Sequence, residues 1–357
     1  MDTQDYIATR LKTVRREAGN IRALAFVGAL VLSGCAPGSD AGGPPFAADI
    51  LPPVLLSAEV TDERELRFVF DEEVTSGGID SVTSEVLPME SATADGNSLT
   101  LRFGEDQEIG RSYIIRAVVE DASGNSLSFL YAFSGWNPRI PDLLVNELNP
   151  QGSSSTPDCI ELFAADGGNL GGLVVLIGTP NRLSGSMTLP AVEVEAGDFI
   201  LVHPKSEGIP EEVNETGPLD VSGGKLASNE ARDFWMPDSP GLPGNNGAVT
   251  LLTRKDGPVL DAVIWSNRED DPDDEKLGWT SEGYAFAADL GAVGAWTAAE
   301  NGVPWPSEAV DVSTSTATRS LCRASVPEDT DTRADWHTVP TGGKTFGAPN
   351  DDSVYIP

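Results

Sequence analysis

Positive charge is what this chain has least of: 23 Lys and Arg stand against 56 Asp and Glu, a net charge of −33 over 357 residues. Such a charge keeps a protein soluble and repels polyanions. It excludes a phosphate-neutralising nucleic-acid surface, which needs clustered Lys and Arg. Histidine is almost absent, with His203 and His337 far apart, and there are three cysteines. H-E-x-x-H, H-x-H and Cys/His clusters are missing, which removes the usual zinc patterns. Leu183-Ser184-Gly185-Ser186 lacks the second flank of a Gly-x-Ser-x-Gly nucleophile loop. Gly241-Leu242-Pro243-Gly244-Asn245-Asn246-Gly247 has no Lys-Ser/Thr after it and is no phosphate loop. Long helical periodicity is absent after residue 35. Short β-rich runs broken by Gly, Asn, Asp and Pro take its place, the pattern of β-sandwiches.

The one strongly apolar run, Ala23 to Leu32, is ten residues long. A membrane-spanning helix needs about 20. Lys12, Arg15, Arg16 and Arg22 precede it and Leu32-Ser33-Gly34-Cys35 closes it. A basic region, an apolar core and small residues make a helical secretory signal. Its last four residues resemble the lipobox of bacterial lipoproteins. That resemblance implies lipid on the Cys35 thiol, cleavage before it, and an exported protein anchored to the cell envelope. Ala36 gives no inner-membrane retention signal of the Asp type, so the outer membrane or cell surface is the expected side. The basic region is long and carries Asp2 and Asp5, so translation from a non-Met codon such as that of Val14 is an expectation. Removing residues 1–34 takes away five basic and three acidic residues and moves the net charge from −33 to −35. Contact with the membrane is therefore expected through the lipid alone.

With Cys35 lipidated, Cys159 and Cys322 remain. Export favours a disulfide between them, and two buried free thiols are the alternative. Residues 35–49 are rich in Gly, Pro and Ala and read as a flexible tether.

Residues 50–136 read as a first small all-β unit. Glu65–Phe70 and Ser98–Phe103 alternate with period two, and Tyr113–Val119 is a more continuous strand. Asp95-Gly96-Asn97 and Asp121-Ala122-Ser123-Gly124-Asn125 are turns between strands. The phrases Arg67-Phe68-Val69-Phe70-Asp71-Glu72-Glu73-Val74, Leu99-Thr100-Leu101, and Tyr113 leading to Asp121–Asn125 resemble bacterial Ig-like domains of surface-layer proteins. That resemblance implies a spacer or binding module. Asp121 and Asn125 offer oxygen donors to Ca²⁺, and an Asx turn explains the same residues.

Residues 137–141, with two prolines, form a stiff linker. Strands are expected at Leu143–Leu148, Asp158–Phe163, Asn169–Leu176, Phe199–Val202, Ala248–Leu252 and Val259–Trp265, with a hairpin turn at Asp256-Gly257. Val145-Asn146-Glu147, Asp158–Leu162, Asn169-Leu170-Gly171-Gly172, Gly247–Leu252 with Asp256–Asp261, Ser320-Leu321-Cys322-Arg323, and Trp336 with Phe346–Asn350 follow one another as in the lamin-tail domain. The sequence resembles that domain over 142–352, leaving a tail at 353–357. The resemblance implies an Ig-like β-sandwich, here enlarged by insertions at about 203–246 and 267–312. It also implies that Cys159 and Cys322 neighbour each other on adjacent strands.

The fold expected is thus all-β, two sandwiches after a signal segment of residues 1–34. Asn146, Glu147 and Glu161 have the chemistry of metal or catalytic carboxylates. The plainer reading has Asn146 and Glu147 bonding loop backbone and Glu161 pairing with Arg323. Asp271 and Asp273, in the run Glu269–Glu275, are further Ca²⁺ candidates, although the run lacks EF-hand spacing. Trp265, Trp279, Trp296 and Trp305 crowd residues 265–305 and suggest a glycan or peptide face; covering an inserted loop subdomain is the other use of such residues. The function expected is non-enzymatic binding, adhesion or scaffolding at the envelope, with an envelope protein or glycan as partner. The alternatives are a ligand-targeting accessory or weak metal-dependent hydrolase, and a calcium-stabilised stalk. No cofactor other than Ca²⁺ is implied.

Overall fold

A computed structural model describes residues 49–81, 87–298 and 302–357. Cys35, the signal segment and all of the tether but its last residue lie outside the described residues.

The chain is all-β, as its alternation requires. In the first sandwich, β1 (Leu55–Asp62), β2 (Glu65–Phe70), β5 (Ser98–Phe103) and β4 (Met89–Asp95) form a sheet in the order β1-β2-β5-β4. It faces β3 (Thr75–Ser81), β6 (Ser112–Glu120) and β7 (Ser126–Ser134), in the order β3-β6-β7. Period-two patterning puts Leu66, Phe68 and Phe70 of β2, and Leu99, Leu101 and Phe103 of β5, wholly inside. Phe68 meets the edges of Phe129 and Tyr131, each with centroids 5.3 Å away. Gly96 turns β4 into β5 at φ +56°, and Gly124 turns β6 into β7 at +85°, conformations that suit glycine.

The second sandwich pairs two larger sheets. One holds β12 (Arg182–Thr188), β11 (Val174–Thr179), β16 (Asn246–Leu252), β17 (Val259–Ser266) and β18 (Val310–Asp311) in that order. The other runs β15 (Arg232–Trp235), β14 (Phe199–His203), β9 (Ile160–Ala164), β8 (Leu143–Leu148), β19 (Leu321–Cys322), β20 (His337–Thr338). A short pair, β10 (Gly168–Asn169) with β13 (Glu193–Val194), lies beside them. The two insertions do not hang free. Each returns an edge strand in parallel, β15 beside β14 and β18 beside β17.

Helix α1 (Ser281–Ala292) was not expected from the sequence. Its buried positions Gly283, Phe286, Ala287 and Leu290 have helical spacing, but two of the four are too small to register as an apolar stripe. The Thr280 hydroxyl caps it by accepting the Gly283 N–H. No helix among the described residues is long and apolar enough to cross a membrane.

The linker is braced against the second sandwich. The Asn137 amide donates to the carbonyls of Asn169 and Gly171 at 2.7 and 3.0 Å. Arg139 makes a two-pronged pair with Glu193. Gly110 lies so close to the backbone of Gly171 and Gly172 that a Cβ there would sit 2.7 Å from it.

Arg323 joins the two sheets of the second sandwich. It is wholly buried, just past β19, and its donors are all engaged. Nε donates to the Val145 carbonyl at 2.9 Å and Nη1 to the Glu328 carbonyl and Asp335. Nη2 meets Asp261 of the facing sheet at 3.4 Å and Asp329 at 3.2 Å. The Asp261 carboxylate also accepts the Val145 N–H at 2.6 Å and the Ala262 N–H at 2.7 Å. Sequence reasoning paired Arg323 with Glu161; the sheets give it to Asp261 instead.

Removing one member strands a buried charge, which costs about 3–5 kcal/mol, whereas replacing both is far milder. Arg323→Met is therefore expected to lose about that much in chemical denaturation, and Asp261→Asn combined with Arg323→Met to recover at least half of it. Equal losses in the single and double variants would contradict the cross-sheet role.

Candidate functional site

Two places gather the residues to which the sequence assigned chemistry. The first is the outer face of the six-stranded sheet. A bulge at Asn146 shifts the β8–β9 register between Val145↔Leu162 and Glu147↔Glu161. One extra residue reverses the alternation that follows it. Leu148 therefore enters the core, and Glu147 stands outside it next to Glu161. The C-terminal segment then covers this face. Glu147 accepts the Ser320 hydroxyl at 2.5 Å, the Thr345 N–H at 3.1 and 3.2 Å, and the Thr345 hydroxyl at 3.1 Å. Glu161 accepts the Gly347 N–H at 2.6 Å and the Asn146 amide at 2.7 Å. Both glutamates are fully buried. Burial pushes the Glu147 carboxyl above its ordinary value, against the pull of Ser320 and Thr345. Burial and the Glu147 charge hold Glu161 well above its own. These carboxylates fasten a loop to a sheet. The expectation for Glu147 holds, while Asn146 bonds a side chain rather than loop backbone.

Farther along the same sheet, His203 Nε2 lies 2.6 Å from Asp233, and its ring stacks on Trp235 with centroids 4.1 Å apart. Asp233 was not singled out in the sequence, and His203 only as one of two histidines far apart. An imidazole on β14 and a carboxylate on the neighbouring β15 meet only because the 203–246 insertion returns to the sheet.

The disulfide expected between Cys159 and Cys322 is not formed. Both thiols are free and buried. The reason is strand order: β8 separates β9 from β19. Two strand spacings put the backbones about 9–10 Å apart, beyond the ~4.4–6.8 Å Cα separation that a disulfide spans. Burial pushes both thiols above their ordinary value. Cys322 Sγ rests 3.5 Å from His337 Nε2, which is also 2.8 Å from the Asp351 carbonyl oxygen.

The second place is the 267–312 insertion. Trp265, Trp279 and Trp296 were candidates for a ligand surface, and the structure removes them from it: all three are buried in the core. Their indole N–H groups donate to the carbonyls of Pro243, Pro304 and Glu308 at 2.9, 2.9 and 3.0 Å. Trp305, half-buried, is left at the surface. It lines a shallow, open cleft of about 300 Å³ with Asp270, Pro272, Ser307 and Glu308. The cleft wall is tied down at several points. Trp279 and Trp296 hold the carbonyls on either side of Trp305, and the Trp305 N–H donates to Glu308 at 2.8 Å. Ser307 donates its N–H and hydroxyl to Asp270 at 2.9 and 2.7 Å.

Of the Ca²⁺ candidates, Asp121 comes close to Asp49 and Glu72, with carboxylate oxygens within 4.8 Å of one another. One Asp121 oxygen accepts the N–H groups of Ser123 and Asn125 at 2.8 Å each, and the other accepts the Asn125 amide at 2.7 Å. Asn125 thus turns its nitrogen, not its oxygen, toward Asp121: the geometry of an Asx turn. Asp271 accepts the Asp273 N–H at 3.0 Å in an exposed turn. Among the described residues these two join no group of three potential metal ligands.

These features define a two-sandwich all-β protein with a capped carboxylate face and an aromatic cleft. A family model described as the TP_1001 protein second domain matches residues 141–338, and the chain belongs to that family. An uncharacterized protein of Treponema pallidum (strain Nichols) is 26% identical over 219 residues, 60% of this chain and 54% of the relative. The chain therefore spans about half the length of that curated relative. Among solved structures, dimeric latent PorU from Porphyromonas gingivalis overlaps 59% of this chain and 20% of that chain at 16% identity, with a TM-score of 0.17. So low a score carries no argument.

Two measurements follow. In the full chain carrying Cys35→Ala, a thiol reagent is expected to find no reactive Cys in the folded protein and two after denaturation without reductant; none after denaturation would restore the disulfide. The raised glutamates set a pH trend. A folded pKa above the unfolded one gives stability that is complete below the unfolded value and is lost as pH rises through the folded one. The melting temperature is expected to fall as pH rises above about 4.5, the ordinary value for a glutamate, with a shallower slope in Glu161→Gln. An identical slope in the variant would clear Glu161 of that effect.

Proposed function

We propose that this chain is an exported, lipid-anchored binding module whose ligand face is the Trp305 cleft. Cys35 carries the anchor, and the first sandwich is the spacer. The lamin-tail resemblance of residues 142–352 and the Ig-like resemblance of residues 50–136 support an envelope role without catalysis. The observation that carries the reading is the division of labour among the four tryptophans. Three are spent in the core, two of them hold the wall beside the fourth, and the fourth stands at a concave surface. Rigid walls around one half-exposed aromatic are what a binding surface needs, since little entropy is lost when a ligand arrives. Glu147 and Glu161, the carboxylates that would serve a hydrolase, accept hydrogen bonds from their own chain instead.

The test uses the full chain in a bacterial host. Labelled palmitate is expected to enter the wild type and not Cys35→Ala. A screen of glycans and envelope proteins is expected to return a ligand that Trp305→Ala loses by at least about tenfold, with the melting temperature unchanged. A ligand that binds Trp305→Ala as well as the wild type would place the binding face elsewhere.

A further inference from the structure

Residues 343–350 cross the outer face of the six-stranded sheet with no strand or helix of their own. On either side the chain is tied by backbone groups, which do not titrate: the Gly342 N–H donates to the Thr318 carbonyl at 3.1 Å, and the Tyr355 N–H to the Thr338 carbonyl at 2.8 Å. The middle is held by acids instead. Thr345 donates its N–H and hydroxyl to Glu147, and the Gly347 N–H donates to Glu161. These glutamates are wholly buried cross-strand neighbours on β8 and β9. No cation neutralises them directly. Lys344 faces Glu147 but turns its Nζ to the Ala317 carbonyl at 3.0 Å, and Arg323 is taken by Asp261, Asp329 and Asp335. The other titratable groups around the pair are Cys159 before β9, Cys322 on β19, Asp233 on β15, and Asp351 and Asp352 after the crossing segment. His203 on β14 is held by Asp233, and His337 on β20 lies between Cys322 and the Asp351 carbonyl.

We infer that residues 343–350 form a lid that stays shut while one of the two glutamates is protonated and lifts when both are charged, uncovering the carboxylates and the thiols of Cys159 and Cys322. Charging the second carboxylate in place sets two like charges side by side in a dry site. A proton, a cation or water can relieve them. Rising pH removes the proton, and the one lysine nearby is engaged elsewhere, so water must enter. β8 and β9 are each paired on both sides, and the lid is not. Water therefore enters under the lid. Burial and the Glu147 charge already hold the Glu161 carboxyl well above its ordinary value. Lifting breaks the bonds at Thr345 and Gly347 and those of the Asn350 amide to the Asn146 and Arg323 carbonyls. Phe346 packs beside Cys159, and the Asp351 carbonyl lies 4.0 Å from Cys322 Sγ, so both thiols lose cover. The lid is separate from the Trp305 cleft and stands or falls without it.

Hydrogen exchange on the full chain carrying Cys35→Ala tests this, read as protection factors so that the intrinsic effect of pH on exchange cancels. The peptide spanning 343–352 is expected to lose protection at least about tenfold between about pH 6 and 9, while β8, β9 and β16 keep theirs. In Glu161→Gln the loss is expected to shrink to under about threefold. That variant imitates the neutral acid, and it has a partner: the buried Asn146 Oδ1 is unbonded and can accept from the new amide once the Asn146 amide turns over. Circular dichroism at the lower pH checks its folding. If it fails that check, Glu147→Gln removes the same like-charge pair and carries the same expectation. Constant protection of 343–352 in the parent chain overturns the inference whatever the variants do. Protection lost equally by the lid and the strands also overturns it, since that is unfolding of the whole sandwich. A loss as large in the folded glutamine variant as in the parent overturns it too.

Discussion

The second sandwich is held in register by a single guanidinium. Arg323 reaches from the end of β19 to Asp261 on β17, and Asp261 in turn accepts the N–H of Val145 on β8. One ion pair therefore fixes both the spacing of the two sheets and their alignment. Its desolvation is offset because every donor of the guanidinium finds an oxygen, two of them backbone carbonyls, and because Trp336 lies 5.0 Å over its face. A hydrophobic pair of equal volume would stabilise as well or better. What the ion pair adds is direction: apolar contacts tolerate sliding, and five donors aimed at fixed acceptors do not.

The same logic recurs on the outer face of the six-stranded sheet. A sheet buried on one side would leave the other to solvent. Here the 203–246 insertion and the C-terminal segment cover it, so that His203, Asp233, Glu161, Glu147 and Cys322 are all inside. Buried polar groups demand partners, and the covering loops supply them as backbone N–H groups at Thr345, Gly347 and Ser228. The polar face thus selects one placement of two loops that have little regular structure of their own.

Much of this was legible in the sequence where one period ruled the pattern. β2 and β5 run over the residues that alternation marks, Glu65–Phe70 and Ser98–Phe103, because each strand has one dry face and one wet face. Legibility failed where tertiary order decides. Parity of the cysteines and their place in two phrases expected on adjacent strands suggested a bond, but no count of thiols reveals that β8 lies between them. Arg323 was visible as a residue, yet its partner depended on which sheet faces it. The helix Ser281–Ala292 escaped notice because Gly283 and Ala287 occupy half of its buried positions. The tryptophan-rich stretch 265–305 was marked as the place for a ligand, and three of its four rings proved to be the foundation rather than the face.

The acid excess is better understood from these contacts than from net charge. Self-repulsion at −33 should loosen a loop-rich chain. Many of the acids are instead committed as acceptors for backbone N–H groups, in their own loop or in a neighbouring segment. Asp158 takes the N–H of Gly152 and Leu242; Glu215 takes those of Val221, Ser222 and Asp233. Asp335 takes those of Thr330 and Thr332, and Asp352 takes that of Ser325. Each such bond satisfies a donor that a strand or helix would otherwise have used. Charge-assisted bonds of this kind are stronger than neutral ones, so loops without secondary structure gain fixed shapes. The Trp305 wall is one of them: Asp270 and Glu308 fasten the turn that presents the ring. Rigidity there comes from the same kind of side chain that gives the chain its charge.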